Sequence, residues 1–379
     1  MHTPPKAERT RFVTAPFTDA DWPQFDGFAR EHFGQSHNRR PEFNRHWFGP
    51  DQCGRWNVRK VMTQDTGQLT GLMMLIVADA KFGGQTAPLA WISNAAIVPE
   101  AQEAGIGAQL YFWAYKSNKL VGALSGNENS DPINDVLARD IPGTRMERYL
   151  WVHQPDRALE FCRDTDQEEV KTALQQRFTR PLMNASDIEV RSVSQLGPEF
   201  EDLWQSFSDG LFFCVNRSRD FMRWRYESAP FVRYAYLEFR SDSRLVGLVP
   251  VREQSTPLGP VCRIMDLILA PGREQEVVGR LCNYLDAAGF IFSDFFLIGT
   301  YVTDVLLESG FSVSSRHGHV DRIPHLLSPL EHREWTNTVN FGGSLAKSDP
   351  SWRDPGVIYF TKADSDRDWP TQYDMGTDK

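Results

Sequence analysis

Gln102, Gly105 and Gly107 stand in a loop running from Val98 to Ala108, between an apolar strand-like run and a run at helical spacing. A strand, a glycine-bearing loop and a helix N-terminus together form an anion cradle. Successive backbone N–H groups point outward there, and the helix dipole adds partial positive charge, so a pyrophosphate can be held without a cationic side chain. Two glycines would let the backbone approach it closely. A plain helix cap is the alternative reading, although a cap needs only one glycine-like position. The dinucleotide pattern Gly-x-Gly-x-x-Gly after an early strand is not what this segment carries.

The elements around this loop occur twice. Residues 38–48 match residues 216–226, with Asn38, Arg39, Phe43 and Arg45 recurring as Asn216, Arg217, Phe221 and Arg223. Residues 58–71 and 232–247 each read as a β-hairpin opened by a Val-Arg pair. Residues 91–110 and 262–281 each read as strand, proline, polar loop and helix. Chance similarity of short strings is the competing explanation, and the shared order of elements argues against it. The repeat places one domain at 10–154, a polar helical connector at 155–186, a second domain at 187–325 and a C-terminal extension at 326–379. In the second copy Glu274, Val277 and Gly279 align with Gln102, Gly105 and Gly107. A carboxylate would repel pyrophosphate and a β-branched residue would block close approach, so one site is expected, in the first domain.

Bulk properties narrow the classes. A chain of 379 residues suits two domains, and 41% hydrophobic with 24% charged residues describes a folded protein. The net charge of -9 argues against general nucleic-acid binding. Five cysteines without CxxC spacing are expected to be reduced and mostly buried. No stretch approaches the roughly 20 apolar residues that span a bilayer, and residues 1–11 lack a signal-length apolar segment. A cytoplasmic protein without membrane partners is the expectation.

The loop resembles motif A of the GCN5-related N-acetyltransferases, in which Gln or Arg is followed after two residues by Gly, one residue, then Gly or Ala. Gln102, Gly105 and Gly107 fit, and Pro99 stands where many members carry a proline. The resemblance implies an α/β (α+β) fold of two tandem domains, each a mixed, mostly antiparallel twisted sheet flanked by helices. It implies an acyl-CoA donor contacted by Ala96, Ile97, Val98, Gln102, Glu103, Ala104, Gly105, Ile106, Gly107 and Asn127, with amides near Ala95 and Ala96 polarising the thioester as an oxyanion hole does. Many members place a tyrosine about seven residues after the asparagine as the acid for the leaving thiolate, whereas this chain has Asn134. A thiolate with a solution pKa of about 8.5 can leave without an acid.

Arg217, Arg219, Arg223 and Arg225 lie within nine residues, beside Trp224 and Tyr226. Such a string suits a phosphorylated acceptor, since guanidinium groups grip phosphate and an aromatic face stacks on a base or sugar. A solvated helix face that docks the domains is the other reading. Together with residues 360–370, the string resembles bacterial tandem acyltransferases that N-acylate nucleotide-linked amino-dideoxy sugars. That resemblance implies such a sugar as acceptor, acetyl or short hydroxyacyl as donor, and Arg223, Trp224, Arg225 and Tyr226 as acceptor contacts. Direct attack of the amine needs no metal. Candidate bases are Glu128, His317 and His319, the two histidines alternating along an expected strand. Asp364, Asp366 and Asp368 are expected in a solvated tail. Two other readings stay open: a tandem-domain aminoacyltransferase using aminoacyl-tRNA, and a non-catalytic acyl-CoA-binding protein.

Overall fold

The computed structural model describes residues 10–33, 40–49, 57–124, 129–175, 187–327, 330–332, 338–345, 358–365 and 368–370. The first half runs β1 (Phe12–Pro16), α1 (Trp22–His32), α2 (Pro41–Phe48), β2 (Val58–Thr63), β3 (Leu69–Phe82), β4 (Gln85–Ile97), α3 (Pro99–Glu103), α4 (Ile106–Ser117), β5 (Leu120–Leu124), α5 (Asp131–Leu137), β6 (Ala138–Arg145) and β7 (Glu147–Val152). Helices α6 (Pro155–Leu159) and α7 (Gln167–Gln175) follow. The second half runs β8 (Glu189–Val193), α8 (Phe200–Ser208), β9 (Phe213–Val215), α9 (Arg219–Met222), β10 (Ala235–Ser241), β11 (Arg244–Gln254), β12 (Val261–Ile264), β13 (Ile268–Leu269), α10 (Glu274–Ala287), β14 (Phe292–Ile298), α11 (Thr303–Glu308), β15 (Ser312–Val313) and α12 (His319–Arg322). Short strands β16 (Leu326–Leu327) and β17 (Leu330–Glu331) pair with each other, and β18 (Thr338–Gly342) and β19 (Ile358–Thr361) complete the chain.

Each half builds the same sheet. In the first, β1, β2, β3 and β4 pair antiparallel in sequence and β5 joins β4 in parallel. In the second, β8, β10, β11 and β12 do the same and β14 joins β12 in parallel. The expected hairpins form. In the second, Asp242 and Ser243 turn the chain at φ 49° and 67°, the conformation that a tight two-residue hairpin turn demands.

Beyond the fifth strand the halves exchange partners. Strand β7, placed by the repeat boundaries in the first domain, pairs with β14 of the second sheet from Phe292↔Val152 to Leu297↔Glu147. In return β18, from the expected extension, pairs with β5 of the first sheet from Val339↔Leu124 to Gly342↔Val121. The boundaries at 154 and 326 therefore cut across the sheets. Both exchanged strands are short apolar segments that fit the same antiparallel slot, so local pattern does not distinguish their partners. Strand β19 then bridges the sheets, pairing with β9 on one side and β14 on the other.

The repeated segments meet each other. His46 and Trp224 occupy equivalent positions and their rings stack at 5.3 Å and 16°. The next equivalent pair also touches, with the Arg225 guanidinium 4.7 Å from the Trp47 ring. Contacts between like positions, taken in succession, arise where an approximate two-fold axis relates two copies.

Candidate functional site

The expected cradle is built around two glycines with different duties. Gly105 caps the N-terminus of α4 with φ 75° and ψ 16°, in the left-handed region that glycine enters without penalty. A Cβ there would meet nothing within 4 Å, so conformation and not crowding requires glycine. At Gly107 a Cβ would lie 3.3 Å from Ile97 Cδ1, so this glycine seats α4 against β4. The turn leading into Gly105 closes on itself, the Gly105 N–H donating to Gln102 O at 2.9 Å and the Ala104 N–H to Glu100 O at 3.2 Å. The first N–H groups of α4 lack intrahelical partners by position, and no acidic residue lies in its first turn. Gln102 is exposed, and its Nε2 reaches back to Ile97 O at 3.4 Å, tying the loop to the strand.

The described pairing of β4 with β5 ends beside this loop. Their last described pair is Ile92↔Ala123, yet β4 continues to Ile97. On its other edge β4 stays bound to β3 through Ala95, Ala96 and Ile97, with a bulge that puts two residues of β4, Ser93 and Asn94, against one of β3, Met74. A bulge twists and re-aims the strand locally, and beyond it the Val98 N–H still donates to Thr70 O at 2.9 Å. Asn127 and Glu128 lie outside the described residues. Asn134 is a core residue, accepting a hydrogen bond from Tyr115 at 3.5 Å. Burial pushes the phenols of Tyr111 and Tyr115 up, which makes both poor acids for a thiolate.

The second copy is closed, for reasons beyond the expected substitutions. There α10 begins at Glu274, so Val277 is a buried residue inside the helix and not in a loop. The left-handed residue before that helix is Gly272, at φ 81°, one position after Pro271. Glu274 and Glu276 occupy the first turn and satisfy the helix dipole themselves. The gap after β12 is filled by β19. Leu297 and Ile298 of β14 pair with Thr361 and Phe360, and the Tyr359 hydroxyl takes a hydrogen bond from the Leu267 N–H at 3.0 Å.

The arginine string is turned inward. Trp224 donates to His46 O at 3.0 Å and the buried Arg225 lies over Trp47, so these two expected acceptor contacts hold the halves together instead, while Tyr226 is buried against Tyr234 and Tyr236 within the second half. Arg223 alone of the four is exposed, pairing with Asp220 at 3.3 Å. Arg225 donates to Ala363 O and to the Tyr234 hydroxyl, each at 2.8 Å, and lies 3.6 Å from Asp368. Arg217 binds Asp266 at 2.7 Å and Asp364 at 2.6 Å. The expectation of a solvated tail fails at Asp364 and Asp368, because buried arginines demand buried carboxylates. Asp366 lies outside the described residues.

Lys362 belongs to this interior. Burial, followed by the Arg263 charge, brings its ammonium down to about 7, and Asp368 at 3.8 Å offsets this only in part. Between about pH 7 and the ordinary lysine range the unfolded chain then holds a proton that the native state lacks, so stability rises with pH across that window. Lys362→Met should remove this rise and stabilise the protein at pH 6. Urea midpoints of both proteins at pH 6 and pH 9 check it. An equal rise in both would mean that Lys362 is fully charged when folded.

His317 and His319 are not on a strand. His317 lies in a turn, its Nδ1 accepting from the Val313 N–H at 3.0 Å, and His319 opens α12. They belong to the half whose gap is closed. Four cysteines, Cys162, Cys214, Cys262 and Cys282, are free and buried, and Cys53 lies outside the described residues. Among the described residues no three metal-ligating side chains cluster, and no helix is long and apolar enough to cross a membrane.

Comparison with known proteins separates sequence from fold. No protein-family model and no curated protein matches the sequence. Solved structures do match. A conserved protein of unknown function from Enterococcus faecalis V583, described as a probable N-acyltransferase, superposes with a TM-score of 0.55 at 11% identity, over 89% of this chain and 73% of that one. A GCN5-related N-acetyltransferase from Anabaena variabilis ATCC 29413 gives 0.54 at 13% identity, over 80% of this chain and 70% of that one. Another from Kribbella flavida gives 0.50 at 12% identity, over 79% and 67%. The chain has the GCN5-related N-acetyltransferase fold. This acetyltransferase fold supplies the scaffold, and at such identities it leaves substrate and activity to be argued from the site.

Proposed function

We propose that the chain is an acyl-CoA-dependent N-acyltransferase with one donor site, in the first half. The observation that carries this reading is the contrast between copies: a glycine-capped helix N-terminus with no acidic residue in its first turn in one, against a helix with two glutamates in its first turn and a neighbouring β14 edge taken up by β19 in the other. In this reading the pyrophosphate sits on the first amides of α4, the pantetheine arm runs along the end of β4, and amides near Ala95 and Ala96 polarise the thioester. An amine attacks directly and the thiolate leaves without an acid, in keeping with the raised phenols of Tyr111 and Tyr115. Glu128, four residues beyond β5, is the base we assign. His317 and His319 are not part of the proposal.

The acceptor is an amine. A nucleotide-linked amino-dideoxy sugar is the class to test first, although Arg225 and the 360–370 segment, which suggested it, now have partners in one another. Calorimetry with acetyl-CoA should give one site per chain, and release of free thiol should depend on an added amine. Two sites per chain would contradict the closed second gap. Binding with no thiol release from any amine would favour an acyl-CoA-binding protein, and no binding would favour the aminoacyl-tRNA alternative.

A further inference from the structure

Ile97, at the end of β4, is held between two glycines on two different elements. It pairs with Gly71 of β3, where a Cβ would fall 2.8 Å from Ile97 Cγ2 and 3.1 Å from Ala96 O. On its other side a Cβ at Gly107 of α4 would fall 3.3 Å from Ile97 Cδ1. The two methyl groups of one side chain therefore occupy the room that two missing side chains leave. The Ile97 carbonyl also accepts from Gln102 Nε2, so β3, α4 and the turn before it all bear on this residue. A glycine inside a strand weakens the sheet and marks a close approach, which at Gly71 is that of Ile97.

The second copy fills the same room differently. Its glycine equivalent to Gly71 is Gly247, and a Cβ there would fall 2.7 Å from Cγ1 of Val277, a residue of α10. There the helix itself occupies the space. Gly105, aligned with Val277, offers no side chain, so in the first half the space is filled from the strand. An acyl-CoA is one molecule gripped at two places, and the protein sets the distance between the grips. An error of about 1 Å in such a placement can cost roughly 100-fold in rate, and close-packed neighbours pass on a change of one methyl group. We infer that Ile97 is a positioning residue: wedged between Gly71 and Gly107, it fixes the seat of α4 on β4. It thereby fixes the spacing between the amides that hold the pyrophosphate and those that polarise the thioester. The inference rests on the donor site proposed above.

Ile97→Val removes Cδ1 and keeps Cγ2, while Gly107→Ala adds a methyl group 3.3 Å from where Cδ1 stood. Together they move one methyl group from strand to helix, so each alone should disturb the seat and the pair should restore it. Calorimetry with acetyl-CoA, and the infrared stretch of bound acetyl-CoA isotopically labelled at its thioester carbonyl, test this on wild type, both single variants and the double variant. Wild type should lower the stretch relative to free acetyl-CoA, because amides polarise the carbonyl. Each single variant should bind roughly 5-fold more weakly, the scale of coupling between packed neighbours, and lose most of that shift. The double variant should recover both. A purely structural role would lower the urea midpoint and leave the carbonyl of the bound fraction where it was. Single variants that keep the full shift, or a double variant no better than Gly107→Ala, overturn the inference and leave the donor site standing. Wild type that fails to bind, or binds with an unshifted carbonyl, overturns the donor site, and this inference with it.

Discussion

Gly105→Val should weaken acetyl-CoA binding by roughly 100-fold while leaving the chain folded. A non-glycine residue at φ 75° costs roughly 1–2 kcal/mol, and a β-branched one is a true outlier there. The chain relieves that strain by rotating the cap, which moves the first amides of α4 off the phosphate oxygens. Each bond to a charged group is worth about 1.5–3 kcal/mol, so a total near 3 kcal/mol, or roughly 100-fold, follows. The space around Gly105 is open, so overpacking adds nothing. Gly272→Val is the matched control, with φ 81° and open space in the second copy. It should lose similar stability and bind acetyl-CoA as wild type does. Gly105→Val within threefold of wild type would mean that the donor sits elsewhere.

Arg217→Met should destabilise the protein by about 3–5 kcal/mol, the usual result of removing one partner of a buried ion pair. Arg217 is fully buried. Burial opposes its charge, but Asp266 and Asp364 overcome this and hold its guanidinium well above the ordinary value. The methionine replaces the side-chain volume and leaves two buried carboxylates facing each other through the vacated site. Asp364 comes from the tail, where the Thr361 N–H also donates to it at 2.8 Å, so the variant should release the segment after β19 as well as lower the urea midpoint. Arg223→Met, six residues on and exposed, should change stability by no more than about 0.5 kcal/mol. Equal effects of the two substitutions would refute the division of this string into a buried latch and a surface residue. Proteolysis near residue 365 follows the release of the tail separately from global unfolding.

Much of this was legible in the residues. Glycine and proline spacing encodes backbone conformation directly, so residues 98–108 announced a strand, a turn and a helix start. The hairpins and the duplication were legible for the same reason: each depends on neighbours a few residues away. Three features were decided only by tertiary structure. The exchange of β7 for β18 was hidden because two antiparallel apolar strands satisfy one slot equally well. The closing of the second gap by β19 was hidden because a plug is defined by the hole it fills. The burial of Arg217 and Arg225 was hidden because a guanidinium goes inside only where carboxylates or carbonyls meet it, and these lie 49 and 147 residues away for Arg217 and 138 residues away for Arg225. Local sequence determines which conformations a segment prefers, and long-range charge and strand pairing determine which of its surfaces remains for a ligand.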